Sequence, residues 1–292
     1  MKKSSTVTAI RKLTGAMVGI PPRHIDFRFP ESMPKYFYGG NATATTFFAM
    51  LSGFFPPGER YFMESVRQFR DRVTDDNLRA AISGFMGQEA IHGREHDRLN
   101  ELLAERGFDM KAPDRFVRIG LAILEKLPAS TRLAATTFME HFTALLAEQL
   151  LEDEQFRQQA DPEMIKIWQW HALEELEHKA VAYDVYELVG NTRTERVAAA
   201  LASMLVLLPM LGITWGWMLA QDRQLGNVPD NIKASVSCSA AAALFPAFCR
   251  AFQNLWAHVS TLIITIPRQL KAVGVISYSR RVVIYTMSTA TT

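Results

Sequence analysis

A chain of 292 residues is long enough to bury a sizeable core, and one large helical domain with an appendage fits it best. Its 32 basic and 30 acidic side chains leave a formal charge of +2, so no overall field points to nucleic acid as a partner. The two cysteines, Cys238 and Cys249, lie in an apolar stretch at a spacing that makes neither a disulfide framework nor a zinc ribbon, which points to a reducing, cytoplasmic setting.

In chain order, the N-terminal MKKSSTVTAIRKLTGAMVGIPPR is basic but lacks a long apolar run ending in a clear cleavage site, and is expected to be retained. Pro21, Pro22, Pro30, Pro34, Gly39 and Gly40 then predict an extended arm whose Phe and Tyr side chains pack on the body. A helical pattern starts at Thr43, is expected to break at Pro56-Pro57-Gly58, and resumes as ERYFMESVRQFRDRV. Thr74-Asp75-Asp76 marks a turn, after which a helix is predicted from Asn77 to Glu105, stopped by Gly107. A shorter helix follows Pro113. A third long helix is predicted from Ser130, as N-cap, to Gln158, and a fourth from Asp161-Pro162 to Val189, closed by Gly190-Asn191. Four long helices on short connections predict an all-α bundle.

Composition changes after Arg196. Residues Val197 to Ala220 carry no charge and are long enough to cross a bilayer, whereas the uncharged stretch from Ala234 to Phe248 is too short. A buried hairpin is the alternative. Arg250, Arg268, Lys271, Arg280 and Arg281, with Trp215, Trp217 and Trp256, would suit the cytoplasmic face of a membrane. The expected organisation is an arm (1–42), a metal-binding bundle (43–192) and a hydrophobic helical C-terminal region (193–292). His258, alone in an apolar stretch, is read as a core or interfacial histidine.

Two segments carry chemistry: GQEAIHGREH, with Glu89, His92 and His96, and WHALEELEH, with His171, Glu175 and His178. Each holds a Glu-x-x-His doublet, which on a helix presents an oxygen and a nitrogen from one face to one metal ion. One doublet is a weak signal, because helices are rich in glutamate. Two, in register with carboxylates on the other long helices, are a strong one.

In an antiparallel pair, residues equidistant from the turn lie side by side. Glu59 and Glu89 average to position 74, inside the first turn, whereas Glu64 falls about one helical turn away from the doublet. Glu59 is therefore preferred over Glu64. On the third helix, Glu140 and His178 average to 159 and Glu148 and Glu175 to 161.5, so counting slightly prefers Glu148; one of the two is expected to bind metal and the other to support it. His171, four residues before Glu175, adds a nitrogen donor on the same face, and His96 is a further ligand or a partner of one. Phe62, Phe85, Met86, Phe138, Met139, Phe142, Trp168 and Trp170 are read as packed core beside the stripe.

The segments PPRHIDFRFP, FFPPGERYF, GQEAIHGREH, MEHFTALLAEQLL and WHALEELEHKAVAYDVY resemble the bacterial family described as predicted metal-dependent hydrolases, over about residues 20 to 220. The resemblance supports Glu59, and its recurrent aromatic C-terminal segment is replaced here by SYSRRVVIYTMSTATT. His171, Glu175 and His178 also resemble the ligand pattern of di-iron arylamine N-oxygenases. Similarity to ferritin-like di-iron enzymes implies Glu140 rather than Glu148, and a ferritin-like four-helix bundle with extra hydrophobic C-terminal helices.

The expected ligand set is Glu59, Glu89, His92, Glu140, His171, Glu175 and His178, holding two metal ions: iron, with manganese or zinc as alternatives. The leading expectation is a non-haem di-iron oxygenase or oxidase acting on an apolar or amphipathic small molecule. Its alternatives are a di-metal hydrolase and a non-enzymatic metal-storage or membrane-docking protein. An electron-donor protein, a membrane surface and a second copy of the chain are the compatible partners.

Overall fold

The structure, a computed structural model, describes residues 15–189 and 192–227. Gly190-Asn191, the stretch 234–248, both cysteines, Trp256, His258 and the basic C-terminal tail lie outside the described residues.

The described residues are all helical apart from turns, extended arm and one isolated bridge between Tyr38 and Ala160. The helices are α1 (Ala42–Arg67), α2 (Asp76–Glu105), α3 (Lys111–Leu124), α4 (Ala129–Glu152), α5 (Glu154–Gln159), α6 (Pro162–His178), α7 (Val181–Leu188) and α8 (Arg193–Gln221). Each long helix of the α1–α2 hairpin packs against one of the α4–α6 pair, α1 on α4 and α2 on α6, which closes the bundle. α3 and α8 lie together on its α1 side, and α8 also covers α4.

Local chemistry sets most boundaries. Asn41, Asp75 and Asp161 cap α1, α2 and α6, their side-chain oxygens accepting from Ala44, Leu78 and Glu163 amides at 2.8, 2.7 and 3.0 Å. α2 ends at Gly107, whose φ of +89° suits glycine, and the Phe108 amide turns back to the Leu103 carbonyl.

Four boundaries differ from expectation, three of them for identifiable reasons. α1 runs unbroken through Pro56 and Pro57. Pro56 cannot donate to the Ser52 carbonyl one turn back, but the Asn100 side-chain amide does so at 3.1 Å, replacing the missing bond. The third long helix breaks at Asp153, which is extended and caps α5 by accepting from the Phe156 amide. Ser130 is not the N-cap of α4: Pro128 is, and the Ser130 and Thr131 hydroxyls instead donate to Glu195 at the start of α8. The fourth helix breaks at Lys179-Ala180, directly after His178, and no side-chain cap accounts for it.

The expected arm holds no helix from residue 19 to 41, is extended only in part, with turns at 31–32 and 39–40, and is tied down at both ends. At its far end Tyr38 joins a buried aromatic cluster around Phe48 of α1, with Phe156 and Trp168 at ring distances of 5.1 and 4.9 Å from Phe48. Truncating a phenylalanine so buried costs about 3–5 kcal/mol. At its near end Gly15, the Ile20 carbonyl and Pro22 lie against Gly84 and Gly87 of α2, so closely that a Cβ on either glycine would overlap them. α8 meets the length and apolarity needed to cross a membrane, and its window is 39% buried against the bundle. Leu205, Ile213 and Trp217 of α8 remain exposed, beside the exposed Ile119 and Ile123 of α3.

A candidate two-metal centre

The bundle brings seven donors from four helices into one buried cluster. Glu59 comes from α1, Glu89 and His92 from α2, Glu140 from α4, and His171, Glu175 and His178 from α6, all at 5% exposure or less. Three overlapping sets place ligand atoms within 4.8 Å of one another: Glu59, His92 and His171; Glu89, His92 and Glu175; and Glu89, Glu140 and His178. Glu175 sits between them, its Oε1 3.1 Å from His171 Nε2, 3.6 Å from His178 Nε2 and 3.8 Å from His92 Nδ1. Gly93 of α2 makes room for Glu59, since a Cβ there would stand 3.1 Å from the Glu59 carboxylate.

Each histidine is oriented by a partner behind it. The side of His92 away from the cluster, Nε2, is 3.0 Å from Glu174 Oε2, which leaves Nδ1 facing inward. His178 Nδ1 is 2.9 Å from the Gln88 side-chain Oε1, leaving Nε2 inward. Gln88 in turn donates to Glu177 at 2.8 Å. Glu174 and Glu177 share Arg23 of the arm, whose Nη1 donates to Glu174 Oε1 at 3.0 Å and Glu177 Oε2 at 2.7 Å, while Nη2 donates to Glu177 Oε1 at 2.6 Å.

His171 is backed differently. Its Nδ1 is 2.7 Å from His96 Nε2, His96 Nδ1 is 2.9 Å from Ser52 Oγ, and Ser52 Oγ donates to Asn100 Oδ1 at 2.7 Å. With His171 Nε2 offered to a cation, the proton sits on Nδ1, and every later donor in this chain is then fixed. His96 thus supports His171 from behind. Glu64 and Glu148 are exposed on their helices and lie outside the cluster, Glu64 pairing with Arg67.

The donor atoms fit cations because nothing else satisfies them. Both oxygens of Glu59, Glu89 and Glu140, Glu175 Oε2, His92 Nδ1 and His178 Nε2 are buried without a hydrogen-bond partner, and each such atom costs about 1–3 kcal/mol if left so. His178 Nε2 and Glu89 Oε1 face each other at 2.9 Å; with the His178 proton on Nδ1, two lone pairs meet there. Four carboxylates balance two divalent ions.

Protonation in the metal-free protein shows the same tension. Burial pushes Glu59 and Glu89 well above the carboxylate range, and neighbouring carboxylates push them further. Burial likewise raises Glu140 to about 7, against the opposing effect of His178. Burial opposes the charge of His178, yet Glu175, Glu140 and Glu89 together hold it well above its ordinary value, so a proton takes a cation's place. Burial also opposes ionisation of Glu175, but His178 and His171 outweigh it and hold the carboxyl low. Burial, with His171 beside them, keeps His92 and His96 neutral.

Two apolar cavities touch the cluster. One, of about 90 Å³, lies between α1, α3, α4 and α8 with Glu59 on its wall, and its lining includes Phe62, Met139 and Phe142, which thus border open space as well as core. The other, of about 50 Å³, is lined by Phe48, Leu150 and Trp168 with His171 and Glu175. Leu51, Phe55, Thr143 and Leu146 are shared between the two. Apart from the cluster's own residues, no charged side chain lines either one.

Sequence reasoning missed Arg23, Gln88, Glu174 and Glu177, as well as Ser52 and Asn100. Glu174 and Glu177 stand inside the motif already singled out, and their identity as carboxylates flanking a ligand doublet was the available signal. Arg23 stands in PPRHIDFRFP.

Comparison with known proteins gives one match: the family model described as predicted metal-dependent hydrolase covers residues 21–260. The chain belongs to that family. No curated protein and no solved structure matches.

Proposed function

We propose that this member of the predicted metal-dependent hydrolase family is a two-metal hydrolase acting on a small apolar or amphipathic molecule. The observation that carries the reading is the set of buried donors with partnerless atoms, four carboxylates and two imidazoles, gathered with His171 beside two apolar cavities. Glu59, His92 and His171 would hold one ion and Glu89, Glu140 and His178 the other, with Glu175 between them. Two divalent ions there would supply Lewis acidity, polarising an ester or phosphoryl oxygen and acidifying a water molecule.

The chain's own residues do the rest. Glu59 borders the larger cavity, so the ion it would help to hold stands within reach of a substrate seated there. Phe55, Leu51 and Leu146 exclude bulk water and seat an apolar group. The exposed apolar residues of α3 and α8 support delivery from a lipid surface. Full-length protein that fails to float with liposomes would remove that part alone.

A second reading is O2 activation by an iron pair in a ferritin-like frame, favoured by the charge balance of four carboxylates against two divalent ions in a site walled by apolar side chains. Such a pair would supply electrons to dioxygen. One experiment separates the readings. Hydrolysis of a short-chain nitrophenyl ester by zinc- or manganese-loaded protein without oxygen supports the first. Failure there, with an absorption change when the Fe(II)-loaded protein meets O2, overturns it in favour of the second.

A further inference from the structure

Among the described residues, Arg23 is the one side chain on which the supports of two inward-facing histidines converge. Through Glu174 it stands behind His92, and through Glu177 and Gln88 behind His178; these histidines belong to different donor sets, one at each end of the cluster. Its partners are 151 and 154 residues away, on α6, and Arg23 belongs to no helix. Its position is fixed by the docking of the arm on α2, where Gly84 and Gly87 let Ile20 and Pro22 come into direct contact. Both Glu174 and Glu177 side chains are nearly fully buried, while Arg23 is 28% exposed, so the guanidinium plugs the seam between α2 and α6 from outside.

We propose that Arg23 is a positioning residue, through which docking of the arm locks the ligand nitrogens of His92 and His178 and so retains both metal ions. The guanidinium suits the task because its planar fork spans two carboxylates with three hydrogen bonds, which a lysine ammonium cannot match. Neither Arg23 nor the arm touches a metal position, and the effect passes through carboxylate–imidazole and amide–imidazole contacts. The inference rests on the two-metal reading.

The test is metal retention rather than turnover. Full-length protein is loaded with Co(II), and release to a chelator is followed by the visible absorption of the bound ion. Arg23→Ala is expected to speed release of both ions by about 10-fold, the low end of the effect of losing a direct partner of a metal ligand, because it acts one contact further back, with Arg23→Lys intermediate. Guanidinium ion, added well below denaturing concentrations, is expected to slow release from Arg23→Ala and to leave the wild type unchanged.

Gly87→Ala approaches the same point from the other side. A Cβ there would lie 2.5 Å from the Pro22 ring, so the arm must shift although alanine is the better helix former. Faster release from this variant, with Arg23 intact, supports the proposal; if Arg23→Ala does not fold, Gly87→Ala and Arg23→Lys decide. Wild-type release rates in these variants, or no rescue by guanidinium, overturn it while leaving the two-metal reading standing. Wild-type protein that binds fewer than two Co(II) ions overturns both.

Discussion

The supports behind the three histidines are of two kinds. Behind His92 and His178 stand two carboxylates of α6 and an arginine of the arm, reaching His178 through the Gln88 amide of α2; behind His171 stand a neutral imidazole, a hydroxyl and an amide from α1 and α2 alone. The charged branch is stiff because separating its buried members leaves uncompensated charge, a loss of about 3–5 kcal/mol in fully buried cases. The neutral branch is stiff because each group has one remaining choice of donor or acceptor once His171 is committed, at about 1 kcal/mol per bond. Orientation of a ligand can thus be secured by energy or by direction, and this molecule uses both around one cluster.

The largest break comes from the charged side. Arg23→Met should lower unfolding free energy by about 3 kcal/mol, because it strands Glu174 and Glu177, and adding Glu177→Gln should recover part of it, read from denaturant curves of the four proteins in a double-mutant cycle. Additive losses would show that the pair is uncoupled.

Next is the pH response of the cluster. Glu59, Glu89 and Glu140 have folded values raised above the unfolded one, so the stability they contribute is complete below the unfolded value and is lost as pH rises through the folded value. His178, also raised, acts in the same sense. Above the ordinary histidine range, from about pH 7, the metal-free fold therefore binds more protons than the unfolded chain. Its unfolding free energy should fall there as pH rises, by up to about 1.4 kcal/mol per retained proton per pH unit, and its melting temperature with it. Metal-loaded protein, whose donors have given up those protons, should show a flatter profile.

On the neutral side, Ser52→Ala removes the joint between His96 and Asn100 and should cost about 1–3 kcal/mol. Asn100→Leu should cost a similar amount, part of it from the Ser52 carbonyl that Pro56 leaves without a partner. Pro56→Ala restores a backbone donor to that carbonyl, so Asn100→Leu should cost less in a Pro56→Ala background; equal costs in thermal melts would remove Asn100 from that role. The smallest effect is reserved for Glu64→Gln and Glu148→Gln. Both side chains are exposed, so metal content should be unchanged and stability should stay within about 0.5 kcal/mol of wild type.

What the sequence makes legible follows from the range of each interaction. The gathered donors are spaced by helical periodicity and by distance from a turn, both local quantities, so Glu59 could be preferred to Glu64 by counting alone. Counting failed between Glu140 and Glu148, because the third helix ends early at Asp153 and α5 intervenes, which moves the axis of the hairpin. Glu174 next to Glu175 was invisible as a support. One step along a helix rotates the side chain by about 100°, and only the position of α2 reveals that one carboxylate faces the cluster while its neighbour meets the back of His92. The expected break at Pro56-Pro57 failed for a similar reason, since the substitute donor Asn100 comes from another helix.

The separation of Arg23 from its partners also has a meaning in time. A ribosome releases the arm first and Glu174 and Glu177 only 151 and 154 residues later, so the side chain that completes the α2–α6 seam waits, unpaired, while nearly the whole bundle is made. Domains fold as units, N-terminal ones first during synthesis, and within this one an early-made segment cannot lock until α6 has emerged. Until α6 emerges, the donors of α1, α2 and α4 stand without their fourth wall, and the nascent chain keeps an open side that the finished protein no longer has.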